Sequence, residues 1–164
     1  MPMPTGATSW SFTEEDFTAI SQVLQRFLFD CNARCALLVD RSGQLITTAG
    51  DRPTFDVTAF ATLTAADFSA NDQLARLIGE RDFNTLFHQG ERESMLLADV
   101  ARRVILVVLF DNRTTLGLVR LKMRSVVEAL GGVIDRVFQR GQATAHLRPA
   151  LLVDIDDEID RLFQ

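Results

Sequence analysis

The longest uninterrupted apolar run, Val104 to Phe110, is the feature that most limits how this chain can fold. Its seven residues are too few for a membrane-spanning helix, which needs about 18. A short run of Val, Ile, Leu and Phe is instead typical of a strand that is covered on both faces. The sequence therefore predicts a sheet with this strand near its centre, and no membrane insertion.

Four other strands are predicted from shorter runs and from the turns between them. Residues 35–39 are wholly apolar, and the turn-forming residues 40–43 join them to a partner strand at residues 44–49. Thr85–Gln89 and residues 94–98 precede the central strand. The order of elements is then helix, two strands, helix, three strands and helix, which predicts an α+β sandwich with antiparallel strands.

The first and last helices are predicted from apolar residues that recur every three or four positions. Thr13 can cap the first helix, and three acidic residues follow it. The last helix is predicted over residues 115–140, with Gly131-Gly132 as a close helix-packing point. The residues of the first helix that are expected to face the core are Phe17, Ile20, Leu24, Phe27, Leu28 and Cys31.

The second helix is predicted over residues 56–78, where Gly79 can end it. Small residues along one side predict a flank on which another backbone can approach closely, although alanine also simply favours helices. These small residues are Ala59, Ala61, Ala65, Ala66, Ser69 and Ala75. The residues that are expected to face the core are Phe60, Leu63, Ala70, Leu74, Leu77 and Ile78.

The remaining segments predict a flexible leader at residues 1–11, one domain over residues 12–140 and a linker over residues 141–153. Residues 154–164 predict an amphipathic tail helix, because five carboxylates lie opposite one apolar face. Such a short helix is marginal alone, so it is expected to dock either on a partner or on its own domain. Its apolar face consists of Ile155, Ile159, Leu162 and Phe163.

The charge of the chain is unevenly distributed. The 164 residues include 22 acidic and 17 basic side chains, for a formal net charge of −5, so nucleic acid is not an expected partner. The charge is −6 over residues 1–98 (7 basic, 13 acidic), +5 over residues 99–148 (9 and 4) and −4 over residues 149–164 (1 and 5). The basic block predicts a solvated face, or a contact with the acidic tail or an acidic partner.

Residues with catalytic or metal-binding chemistry are few. The sequence has no G-x-G-x-x-G motif, no P-loop and no G-x-S-x-G motif. Cys31 and Cys35 are predicted to be buried apolar residues, and the scarcity of cysteine favours a reducing, cytoplasmic location. His88 is predicted to have a structural or interface role. The sequence therefore predicts no enzyme, no catalytic residue, no metal site and no cofactor.

Five segments, taken in order, carry a family resemblance. Residues 35–46 resemble the first hairpin of the roadblock family of dynein light-chain-like proteins, and residues 104–120 resemble its last strand and the start of its last helix. Residues 77–80, 87–90 and 155–163 are most similar to the bacterial MglB-type members. The resemblance spans the predicted domain and the tail.

This resemblance implies a roadblock-type α/β/α sandwich, with a five-stranded antiparallel sheet, one helix on one face and two on the other. It also implies a homodimer in which the middle helix and the third strand pair with their mates, so that the open strand edge is covered. The residues expected at this dimer interface are Thr85, Leu86, Phe87, His88 and Gln89.

The function implied by the resemblance is regulation of a small Ras-like GTPase of the MglA type in bacterial cell polarity or motility, with concentration at a cell pole. Such a protein activates GTP hydrolysis by repositioning the catalytic residues of the GTPase itself. Some members of the family also promote nucleotide exchange. The tail's apolar face is expected to bind the GTPase. The second-helix residues expected to bind it are Ala65, Ala66, Asp67, Ser69, Ala70, Asn71 and Gln73.

Four residues of the second helix depart from the Gly- and Ala-rich pattern of the MglB type, namely Asp67, Phe68, Asp72 and Gln73. Bulk and charge at these positions could change the partner or its affinity. One alternative function is therefore a scaffold that docks partners without activating a GTPase. Another is a small-molecule sensor, which would require a buried polar pocket.

Overall fold

Residues 10–162 fold into three helices and five strands. The computed structural model describes residues 10–162, with side chains for residues 10–144. The helices are α1 (Glu14–Cys31), α2 (Val57–Leu77) and α3 (Leu116–Leu162). The strands are β1 (Cys35–Asp40), β2 (Leu45–Gly50), β3 (Thr85–Gln89), β4 (Ser94–Val100) and β5 (Val104–Phe110). This order of elements confirms the predicted α+β class.

The five strands form one sheet in the order β2-β1-β5-β4-β3, with every neighbouring pair antiparallel. The apolar run of β5 lies at the centre, as predicted, and Val107 is paired with Leu37 on one side and with Leu97 on the other. Since a central strand has no free edge and is covered on both faces, nearly all of its side chains are buried.

The helices form layers on the two faces of the sheet. Leu106 and Val108 of β5 pack in one core with α1 and α3, and Ile105 and Val107 pack in a second core with α2. Alternate residues of a strand point to opposite faces, so a single strand contributes to both cores. The arrangement of two helices on one face and one on the other confirms the fold that the resemblance implied.

The start of α1 is held by reciprocal hydrogen bonds. The Thr13 hydroxyl accepts from the Asp16 backbone N–H at 3.3 Å, and the Asp16 carboxylate accepts from the Thr13 backbone N–H at 2.8 Å. Burial opposes ionisation of Asp16, but the bonds from Thr13 and Arg140 outweigh it and lower the pKa of that carboxyl. Five of the six residues predicted to face the core from α1 are buried, whereas Phe17 is partly exposed.

The prediction for the core face of α2 is wrong for five of its six residues, and only Phe60 packs against the core. Its buried residues are Ala61, Thr64, Ala65, Phe68, Asn71 and Ala75. Four of the larger residues expected in the core are exposed instead. The exposed fractions of Leu63, Leu74, Leu77 and Ile78 lie between 58% and 82%. The end of α2 is as predicted, since Gly79 follows with a φ of +87° and its N–H donates to the Arg76 carbonyl.

The last helix is longer than predicted. The backbone of α3 continues through residues 141–153, where a linker was expected, and reaches Leu162. The segment has many good helix formers among its Ala, Leu, Gln and Arg residues, which favour continuation despite one glycine and one proline. The close packing predicted at Gly131-Gly132 is also wrong, because a Cβ atom on either residue would meet open space. No helix within residues 10–162 has the length and apolarity to cross a bilayer.

Replacing Phe68 with alanine tests which face of α2 packs on the sheet. Phe68 is fully buried, so Phe68→Ala is expected to lower the free energy of unfolding by about 3–5 kcal/mol in a urea titration. Phe29 on α1 is 84% exposed and provides the matched control, with an expected change of less than about 0.5 kcal/mol for Phe29→Ala. Equal effects of the two substitutions would contradict the inward position of Phe68.

Candidate protein-binding surface

The side of α2 that faces away from the sheet carries an apolar stripe. Leu63, Ala70, Leu74 and Leu77 follow one another at gaps of seven, four and three residues and are exposed. With 3.6 residues per turn, these gaps place all four on one side of the helix. We call them the outer stripe. Contiguous exposed apolar residues of this kind are typical of protein interaction sites.

The edge strand β3 lies at one end of the sheet and, within residues 10–162, pairs only with β4. Leu86 packs against the core beneath α2, and Phe87 packs on the opposite side, where its ring lies 6.2 Å from that of Phe110. Thr85, His88 and Gln89 are exposed. The second edge of β3 therefore has backbone groups that are free to pair with another strand.

The side chains of His88 and Asp67 connect this edge to α2. Nε2 of His88 lies 2.6 Å from an Asp67 carboxylate oxygen. The contact fits the structural or interface role predicted for His88. The contact also shows which side of α2 faces β3. Leu63, Leu74 and Ile78 lie on the same side as Asp67, because the four residues follow one another at gaps of four, seven and four. We call this side the β3 flank of α2.

The neighbouring side of α2, about 100° around the helix from the β3 flank, is small and polar. Ala66, Ser69, Ala70 and Gln73 are all exposed there, and we call them the small flank. They are four of the seven second-helix residues expected to bind a GTPase. Of the other three, Ala65 and Asn71 are buried within the domain and are not available to a partner, while Asp67 lies on the β3 flank.

Three of the four residues that depart from the MglB-type pattern make contacts within the domain. Phe68 fills the core beneath α2, Asp67 pairs with His88, and Asp72 accepts a 2.8 Å hydrogen bond from Arg41. Only Gln73 is exposed. Three of the four differences therefore concern packing within this chain, whereas Gln73 adds a longer side chain to the small flank.

Arg41, in the turn between β1 and β2, connects three elements. It donates to Asp72 of α2 and to Asp99 of β4, and its guanidinium lies 4.9 Å from the centre of the Phe68 ring. Although burial acts in the opposite direction, hydrogen bonds to the two carboxylates raise the pKa of Arg41 above its usual value. This cluster could not be predicted from the sequence, because its members come from three segments without a shared motif.

Both cysteines are buried and unpaired, as predicted. Burial raises the pKa of the Cys31 and Cys35 thiols, so neither is activated as a thiolate. Within the described part of the chain, no three histidine, cysteine, aspartate or glutamate residues are grouped as a metal site would require. This surface therefore offers contacts to another macromolecule rather than reactive groups.

The apolar face predicted for the tail lies outside the described side chains. Residues 155, 159 and 162 belong to the backbone of α3, and Phe163 lies beyond the described residues. The contact proposed for Ile155, Ile159, Leu162 and Phe163 therefore stays a prediction.

Comparison with known proteins places these features in a family. The family model of the Roadblock/LC7 domain matches residues 19–110, more than half of the chain. No match was found among curated protein sequences.

Several solved structures are similar over most of the chain. MglB from Myxococcus xanthus is 44% identical, with a TM-score of 0.70 over 73% of this chain and 98% of that protein. The gliding protein MglB from Thermus thermophilus is 30% identical, with a TM-score of 0.72 over 78% of this chain and 97% of that one. A structure described as MglB with tetrameric arrangement is also 30% identical, with a TM-score of 0.73 and coverages of 79% and 97%. The chain therefore belongs to the Roadblock/LC7 domain family and is similar to its MglB members.

Proposed function

We propose that this protein is a homodimeric regulator of a small Ras-like GTPase of the MglA type and accelerates its GTP hydrolysis. The observation that carries this proposal is the 44% identity to MglB from Myxococcus xanthus, which extends over 98% of that protein. The surface of α2 supplies residues for the proposed contacts with the second subunit and with the GTPase. The cellular role that follows is in polarity or motility, with concentration at a cell pole.

The dimer is proposed to form through β3 and the β3 flank of α2. Pairing of two β3 strands would satisfy the free edge and extend the sheet across both subunits. The same contact would cover Leu63, Leu74 and Ile78, which are all more than half exposed in the single chain. Full burial of such a side chain contributes about 1.5–3 kcal/mol, so a few of them stabilise an interface substantially. The tetrameric arrangement named for one MglB structure supports self-association in this family.

Charged substitutions on the β3 flank test the dimer. Leu74→Asp combined with Ile78→Asp is expected to shift the protein to a monomer in sedimentation equilibrium, because burying two carboxylates without partners is unfavourable. Leu118→Asp combined with Leu121→Asp on α3 is the matched control, since both leucines are exposed on the other layer. A monomeric wild-type protein, or a doubly substituted protein with the wild-type mass, would contradict the proposed interface.

The GTPase is proposed to bind the small flank of α2. Ala66, Ser69, Ala70 and Gln73 present little relief, so the backbone of a partner can approach closely. None of these side chains carries a charge that could stabilise the transition state as an arginine finger does. Activation from this flank would therefore act by repositioning the catalytic residues of the GTPase itself.

Single-turnover GTP hydrolysis by the cognate GTPase tests both the activity and the flank. Saturating wild-type protein is expected to accelerate hydrolysis, and Ala70→Arg is expected to reduce binding by at least about tenfold, because a long charged side chain would be forced into a close contact. Ala129→Arg, at an exposed alanine of α3 on the opposite layer, should behave as wild type. Binding without acceleration would reject the activator and support the scaffold alternative.

The tail is proposed to bind the GTPase through Ile155, Ile159, Leu162 and Phe163. Ile159→Ala combined with Phe163→Ala is expected to weaken GTPase binding or nucleotide exchange, because it removes apolar area from the predicted contact. The dimer mass and the melting temperature are expected to stay unchanged. A melting temperature lowered by several degrees, with binding preserved, would instead show that the tail packs on its own domain.

The interior gives little support to the alternative of a small-molecule sensor. The spaces between the sheet and the helices are occupied by fully buried apolar side chains, among them Leu37, Leu97 and Phe68 beneath α2. A cavity with a polar wall lies elsewhere, beside the last turns of α2.

A further inference from the structure

A cavity of about 390 Å³ lies where the last turns of α2 meet the turns of two hairpins. Four arginines line it, and each comes from a different segment: Arg41 from the β1–β2 turn, Arg76 from α2, Arg81 from the loop after α2 and Arg102 from the β4–β5 turn. The volume lies within the range of about 300–1,000 Å³ that is usual for small-ligand sites. Of the small-flank residues proposed to contact a GTPase, only Ser69 also lines this cavity.

The carboxylates in the cavity wall are already paired. Asp72 and Asp99 both accept from Arg41, and Asp82 lies 3.8 Å from Arg102. Arg76 and Arg81 make no ion pair with any residue in the described side chains, which cover residues 10–144. The wall therefore has two guanidinium groups whose charge is not balanced by a neighbouring carboxylate.

Two further features of the wall are consistent with a bound ligand. The Nε atom of Arg41 is buried without a hydrogen-bond partner, which is uncommon for a donor inside a protein. Ala101 and Arg102 have φ values of +54° and +57°, and a turn with two such residues strongly favours Asn-Gly. The Arg102 backbone N–H donates to the Asp99 carboxylate at 3.1 Å, which stabilises the turn but does not require an arginine side chain at this position.

Stabilisation of the α2 C-terminus is the simplest other explanation for these arginines. Arg76 lies in the last turn of α2, where a cation favourably meets the negative end of the helix dipole. That explanation extends to Arg81, which follows the helix closely. It does not account for Arg102, which belongs to a hairpin turn, or for the unpartnered donor of Arg41.

We propose that this cavity binds a small ligand that carries phosphate groups. Guanidinium groups match phosphate oxygens with two parallel hydrogen bonds, and several of them around one cavity suit a diphosphate better than a carboxylate. The hydroxyl of Ser69 in the same wall adds a neutral donor. Free inorganic anions and the phosphate groups of a nucleotide share this chemistry, and the experiment separates them.

Isothermal titration calorimetry of the full chain with pyrophosphate, inorganic phosphate and adenosine diphosphate, at one fixed ionic strength, tests the site. Pyrophosphate is expected to bind at one site per chain. Arg76→Gln combined with Arg81→Gln is expected to weaken it by at least about tenfold, because two charge-assisted contacts are lost. Arg52→Gln combined with Arg136→Gln removes the same charge from exposed positions outside the cavity and is expected to leave the affinity unchanged.

The substitution Arg102→Gly distinguishes an effect on ligand binding from an effect on folding. Glycine adopts a positive φ without strain, so the melting temperature is expected to stay unchanged or rise while pyrophosphate affinity falls. Tighter binding of adenosine diphosphate than of pyrophosphate would identify a nucleotide site, and the reverse order a site for free anions. The proposal is overturned if none of the three compounds binds, or if both double substitutions weaken binding equally. It is also overturned if the cavity substitutions impair only GTPase binding, which would assign the arginines to a protein partner.

Discussion

The close packing of α2 on the sheet is the constraint from which the other features of this surface follow. Ala61 and Ala65 bring the helix near the strands, and Phe68 fills the space that remains. The β1–β2 turn also approaches the helix closely, since a Cβ atom on Gly43 would lie 3.1 Å from the Cα of Thr62, and its φ of +96° favours glycine. The alanines and Phe68 fill the inner side of the helix, and the leucines lie on the outer stripe.

The strands and the order of the layers could be predicted from local sequence, whereas the orientation of α2 could not. The seven apolar residues of β5 allow few structures other than a central strand, and Thr85–Gln89 has the bounds that its pattern predicted. In α2, however, two apolar faces follow the same helical period, one small and one large. Periodicity finds both faces but does not say which belongs to the core of its own chain, and the usual preference for large buried residues indicated the wrong one.

Local sequence was least informative about the contacts that build the candidate site. Arg41, Asp72 and Asp99 meet because a turn, a helix and a strand converge in three dimensions, and no spacing along the chain records that meeting. The edge residues of β3 were predicted because a family resemblance supplied the topology. The pairing of His88 with Asp67 explains a charge in α2 that the sequence alone had suggested to be a change in the partner surface.

The two flanks of α2 connect self-association with partner binding in the proposed assembly. A two-fold dimer built on the β3 flank would bring two copies of α2 together and present two identical small flanks beside the axis. If one GTPase spanned this axis, it would contact the two identical surfaces in two different ways, because a GTPase monomer is asymmetric, and it would exclude a second GTPase. Shallow side chains such as Ala66 and Ser69 suit this requirement, because a surface of low relief accepts more than one geometry, whereas a deep complementary pocket accepts one.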